Sequence, residues 1–128
     1  MTAKVLDASA VASMAFLEPA AGAIQQRVRD CEWLAPFLLK FEMANICARK
    51  IRAMPQNRDT LIAQHRSTLM APVSYADVNH EEVVLLAELY RLTAYDASYL
   101  WLAKDRGCEL VTLDEDLAKA FQKMERQP

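Results

Sequence analysis

The chain has 128 residues, 53% hydrophobic and 25% charged, which suits one folded domain with a real core and argues against disorder. Fifteen Lys and Arg against seventeen Asp and Glu leave a net charge of -2, unlike a strongly basic nucleic-acid binder. A local basic patch, or an acidic site that takes up a metal, would still allow that partner.

The three cysteines, Cys31, Cys47 and Cys108, are odd in number and show no Cys-x-x-Cys spacing. This argues against a disulfide framework or a zinc site and fits a reducing compartment. His65 and His80 stand alone. No apolar run is long enough to span a membrane, and the start of the chain lacks the pattern of a signal peptide. A soluble cytoplasmic protein is expected. With only Gly22 and Gly107, neither a Gly-x-Gly-x-x-Gly loop nor a Walker-type phosphate loop can be built.

In chain order, a short apolar run, Val5-Leu6, stops at Asp7, and Ala8 to Met14 reads as a helix. Asp7 or Ser9 caps that helix, or Asp7 begins a site at a strand end. A break at Glu18-Pro19 precedes a helix over 20–29, with Gly22 near its start. Cys31 to Leu34 predicts a short strand, and Pro36 opens a long helix to about Ala53. A further helix spans about 58–70. The stretch 71–78 reads as loop with a short extended piece. Asn79 caps a helix to about Arg91, with Glu82 placed for a loose capping box. The next helix, 93–106, is closed by Gly107. Glu109 to Leu113 predicts a strand that stops at Asp114, and a last helix runs from Glu115 to about Met124. Strands alternating with helices argue for a parallel sheet covered by helices.

Four acids stand out: Asp7, Glu42, Asp96 and Asp114, with Asp116 as a fifth. Asp7 and Asp114 end buried-type strands. If those strands are parallel neighbours, both carboxylates share one sheet edge. Asp96, Asp114 and Asp116 each also have a reading as helix-start acids. Glu42 has no capping explanation, because it lies mid-helix between apolar neighbours. It belongs to a polar stripe with Asn45, Arg49 and Arg52, which reads either as a solvated face or as part of a site. Clustered carboxylates repel unless a cation or a shared proton joins them. Oxygen-only donors select Mg²⁺ or Mn²⁺, a chemistry suited to phosphodiester hydrolysis. Ser9 and Thr112 place hydroxyls two positions from Asp7 and Asp114, where they could bond the carboxylates or a phosphate, or serve as ordinary turn and strand residues.

Four segments carry a family resemblance: Val5-Leu6-Asp7-Ala8-Ser9-Ala10, Phe41-Glu42-Met43-Ala44-Asn45-Ile46, Tyr95-Asp96-Ala97-Ser98-Tyr99-Leu100-Trp101-Leu102-Ala103, and Leu110-Val111-Thr112-Leu113-Asp114-Glu115-Asp116-Leu117. In this order the chain resembles the PIN-domain ribonucleases, and most of all the VapC-type toxins of toxin–antitoxin pairs. The resemblance implies one α/β domain over 1–128, a three-layer fold with a central parallel sheet of about five strands flanked by helices. It implies a Mg²⁺- or Mn²⁺-dependent endoribonuclease with Asp7, Glu42, Asp96 and Asp114 at the acidic metal positions. Asp116 would hold the metal through water, and Ser9, Asn45 and Thr112 would support the acids. It further implies a homodimer, an RNA substrate and a VapB-like antitoxin, with Arg49 and Arg52 set to meet RNA phosphate or an antitoxin carboxylate. A silent PIN-fold module that only binds such partners is the alternative. A phosphotransfer enzyme using Asp7 as nucleophile fits less well. A haloacid-dehalogenase-like chain would want an Asp where Ser9 stands, and a receiver would want a lysine where Asp114 stands.

Overall fold

The computed structural model describes residues 2–127. Four strands form one parallel sheet: β1 (Thr2–Leu6), β2 (Cys31–Pro36), β3 (Val73–Ala76) and β4 (Glu109–Val111), in the order β3-β2-β1-β4. The architecture is the expected one, with four strands among the described residues where about five were anticipated. Seven helices cover the sheet: α1 (Ala8–Ala15), α2 (Ala21–Arg27), α3 (Leu38–Ala53), α4 (Arg58–Leu69), α5 (His80–Tyr90), α6 (Ala94–Arg106) and α7 (Glu115–Arg126).

The strand alternation sorts side chains to the two faces. Leu6, Ala35 and Val111 point into a core shared with α1, α2 and α3. Val5, Leu34 and Leu110, one residue away in each strand, point into a second core with α6 and α7. Both faces of the central strands are therefore apolar, as in a parallel sheet covered on both sides. Each fully buried leucine, such as Leu6, Leu100 or Leu102, stabilises the fold by about 2 kcal/mol.

Several boundaries differ from expectation for identifiable reasons. Pro36 ends β2 rather than opening α3; it lies opposite Ala76 at the end of the β2–β3 ladder, a strand-end position that tolerates its missing N–H. The stretch 71–78 contains a true edge strand, β3, whose four residues all pair with β2. Helix α2 stops at Arg27, and Asp30 takes a left-handed φ of 58° to turn the chain into β2. Gly22 lies within its first turn. β4 ends at Val111, because Thr112 and Leu113 turn their polar groups to Asp7 and Ser9. Asn79 caps α5 by accepting from the Glu82 N–H at 3.1 Å, while Glu82 itself accepts from Trp101 Nε1.

The strand order matters for function. The chain runs outward from β1 to β2 and β3, then crosses back to place β4 on the other side of β1. The crevice at such a reversal, outside the carboxyl ends of the strands, is the usual ligand position in open α/β sheets. Asp7 follows β1 and Asp114 lies three residues beyond β4, so both stand at this point.

Candidate metal centre at the carboxyl edge of the sheet

β1 and β4 are parallel neighbours with Leu6 opposite Val111, and the Asp7 N–H donates to the Val111 carbonyl at 3.2 Å. This continues the ladder by one bond and carries the Asp7 carboxylate to the sheet edge. Its Oδ1 accepts from the Ala10 N–H at 3.0 Å, capping α1, and from Ser9 Oγ at 2.7 Å. Its Oδ2 accepts from Thr112 Oγ1 at 2.6 Å. Capping and site position are thus not alternatives, since one carboxylate does both.

The protons of both hydroxyls are committed. Each has one proton, and each spends it on Asp7, so the 3.4 Å separation of Ser9 Oγ and Thr112 Oγ1 is a contact without a proton to share. One lone pair of each is used as well: Ser9 Oγ accepts from the Leu113 N–H at 2.8 Å and Thr112 Oγ1 from the Asp114 N–H at 3.0 Å. The same hydroxyls that hold Asp7 thereby fix the backbone leading to Asp114. Asp114 Oδ1 in turn caps α7 through the Leu117 N–H at 3.0 Å.

Glu42 lies on the second turn of α3. Its Oε1 accepts from the Tyr99 hydroxyl at 2.6 Å. Tyr99 is buried at 1% exposure, and its position three residues after Asp96 on α6 sets both on one side of that helix. Tyr99 is the residue that sequence reasoning missed as a site member. The Asp96-to-Tyr99 spacing was the available signal, but a buried tyrosine reads first as core. Asp96 is half-buried in the first turn of α6, whose cap is Thr93; the Asp96 N–H donates to Thr93 Oγ1 at 3.0 Å, leaving its carboxylate free of capping duty.

The acids share one electrostatic field. Burial raises the Asp7 carboxyl above the usual aspartate range, its hydrogen bonds oppose the rise, and the charge of Asp114 adds to it. Glu42 is raised by burial, lowered in part by Tyr99, and raised again by the charges of Asp96 and Asp7. Asp96 is raised by burial and by Asp114, Asp7 and Asp116. The fold thus brings Asp7, Glu42, Asp96 and Asp114 together, with Asp116 beside Asp96. Asn45, one turn after Glu42, is exposed, as are Arg49 and Arg52 further along α3.

The donor set is oxygen-only, the chemistry that suits Mg²⁺ or Mn²⁺. No three His, Cys, Asp or Glu side chains among the described residues already close into a ready-made cation cage. Acceptor capacity nonetheless remains. Asp7 uses three of its roughly four lone-pair sites, and among the described residues no protein donor reaches Glu42 Oε2 or Asp114 Oδ2.

The PIN domain family model matches residues 4–122, nearly the whole chain, so the protein belongs to the PIN domain family. Proteins of this family are typically metal-dependent nucleases. Among solved structures, the chain is similar to PAE2754 from Pyrobaculum aerophilum, with a TM-score of 0.76 at 22% identity over 96% of this chain and 92% of that one. That likeness supports the fold. No curated protein matches the chain. No helix among the described residues is long and apolar enough to cross a membrane.

Proposed function

We propose that the chain is a Mg²⁺- or Mn²⁺-dependent endoribonuclease, the toxin of a type II toxin–antitoxin pair. One observation carries the reading: a buried carboxylate at the end of β1, held by two hydroxyls, shares its electrostatic field with three acids from α3, α6 and the β4–α7 junction. A purely structural role would not bring four acids together at a ligand-binding edge, where the charges of Asp7, Asp96 and Asp114 raise neighbouring carboxyls.

Asp7, Asp96 and Asp114 would hold the cation with Glu42, and Asp116 would reach it through water. When bound, the metal supplies an activated water for in-line attack on a phosphodiester and stabilises the charge on the leaving oxygen. The protein's part is orientation. Thr112 and Ser9 fix the Asp7 carboxylate, and Tyr99 fixes Glu42. Asn45 stands one turn from Glu42 as a supporting polar group. Partners have their own support. Phe41 and Tyr95 adjoin Glu42 and Asp96 in sequence and are 74% and 64% exposed, an apolar rim suited to a second protomer or a VapB-like antitoxin. Arg49 and Arg52 would meet RNA phosphate or an antitoxin carboxylate. A cytoplasmic location accords with such partners.

The test is a calorimetric Mn²⁺ titration of the purified chain beside Asp7→Asn, followed by a screen of transfer and ribosomal RNAs. Saturable binding lost in the variant, with metal-dependent RNA cleavage, supports the reading. A folded wild type that binds no Mn²⁺, alone or with RNA, would leave the silent binding module in its place.

A further inference from the structure

An open cleft of about 990 Å³ begins at three of the acids, Asp96, Asp114 and Asp116, and continues along α7. Four cations line it: Arg91, Lys119, Lys123 and Arg126. Lys119, Lys123 and Arg126 follow the i, i+4, i+7 spacing of one helix face and cover about 10 Å of axis. Among the described residues none of the four stands in an ion pair, although Glu115 and Lys119 have the spacing that permits one. The helix dipoles account for Lys123 and Arg126 in the last turn of α7 and for Arg91 at the C-terminal end of α5, but not for Lys119. Arg91 adds a separate observation. It caps α5 with φ 56°, a left-handed conformation that favours glycine or asparagine, yet the residue there carries a cation at the cleft.

From this cleft we infer that α7 and the α5 cap form the phosphate track of the substrate: a single-stranded RNA whose backbone runs along Lys119, Lys123 and Arg126, with Arg91 flanking, and whose bond to be cut lies over the acids. The inference rests on the nuclease reading for the chemistry at the acidic end, but the binding it describes needs no metal. Unpaired cations in a groove hold a nucleic-acid backbone by releasing its counterions, without reading sequence. A chain of net charge -2 can bind a polyanion in this way, because the cations are concentrated on one path.

The test uses the full chain with a short fluorescein-labelled oligouridylate, read by anisotropy in EDTA over a salt series. Four phosphate contacts on a single strand predict a log K against log salt slope of about -2.8, at about -0.7 per contact. Lys119→Gln/Lys123→Gln should flatten the slope by about 1.4 and weaken binding at low salt by about tenfold. The charge-matched pair Arg58→Gln/Arg66→Gln on α4 should change neither. Absence of wild-type binding at low salt overturns the track, as does an equal loss in the α4 pair or an unaltered slope in the α7 pair. Cleavage with Mn²⁺ separates the two readings. Salt-dependent binding weakened in the α7 pair, without any cleavage by wild type, upholds the track and removes the nuclease. Cleavage whose KM the α7 pair leaves unchanged upholds the nuclease and removes the track. With both correct, the α7 pair raises KM and keeps kcat.

Discussion

The Tyr99 hydroxyl donates to Glu42 Oε1 at 2.6 Å, joining α6 to α3 across 57 residues of sequence. Burial and the Glu42 charge raise the Tyr99 hydroxyl far above its ordinary range, so this proton stays on the phenol and the bond keeps one direction. Tyr99→Phe removes the donor at nearly constant volume. The Glu42 carboxyl should then titrate higher than in wild type, because the hydrogen bond is what opposes its rise. A carbon-detected NMR titration of that carboxyl reads the shift directly. Urea denaturation should show a loss of about 1–3 kcal/mol. An unmoved Glu42 titration would mean that Tyr99 is only core.

Asp7→Asn should keep the cap on α1, since an amide oxygen can still accept from Ala10 N and Ser9 Oγ. Its amide nitrogen would face Thr112 Oγ1, a hydroxyl able to turn and accept. Removing a buried charge from among like charges should leave the metal-free variant at least as stable as wild type at neutral pH, while Mn²⁺ binding and RNA cleavage are lost. Denaturation curves and the calorimetric titration together check both halves. Full cleavage activity in the variant would remove Asp7 from the mechanism.

Thr112→Val keeps the shape of the side chain and deletes both of its hydrogen bonds. Asp7 loses a donor that holds its titration down, so the proton should compete better with a cation. Mn²⁺ affinity should fall by about tenfold or more, with a larger loss at mildly acidic pH than at alkaline pH. Calorimetry at two pH values measures this. A loss independent of pH would assign Thr112 to backbone positioning through Asp114 N instead.

The acids also set a pH dependence of stability. Asp7, Glu42 and Asp96 hold their protons more tightly in the folded chain than in the unfolded one, whose ordinary values are 3.8 for aspartate and 4.5 for glutamate. Folding therefore takes up protons between those values and the higher folded ones. The cluster imposes no penalty below the ordinary values. Its penalty grows as pH rises through the window and is constant above it. Glu109 acts in the opposite sense. Burial alone would raise it, but hydrogen bonds and charge from Arg27 and Lys4 hold it low, so its contribution is present above 4.5 and fades as pH falls through the folded value. Urea stability of Asp7→Asn relative to wild type, followed from about pH 4 to about pH 8, should rise and then level off. A flat difference would mean that Asp7 titrates alike in both states.

Much of this site is legible in the sequence because its parts obey local rules. Two-residue alternation and apolar runs mark β1 and β4, and each ends near an aspartate whose second duty is to cap the next helix. Glu42 stands out because a mid-helix acid between apolar neighbours has no local reason to be there. The errors also lie where local rules compete. Pro36 suits the first turn of a helix or the end of a strand, and only β3 lying alongside decides for the strand.

What the sequence by itself determined is therefore the set of elements other than β3, their order and the positions of four acids relative to strand ends and helix turns, since these follow from periodicity and capping within a few residues. The tertiary structure alone decided that β4 returns to the side of β1, bringing Thr112 to Asp7 across 105 residues, and that Tyr99 meets Glu42. It alone set Arg91 of the α5 cap beside the cations of α7. The physical reason is that sheet order and helix docking are settled by burying two apolar faces at once, a balance summed over the whole chain that no short window of residues contains.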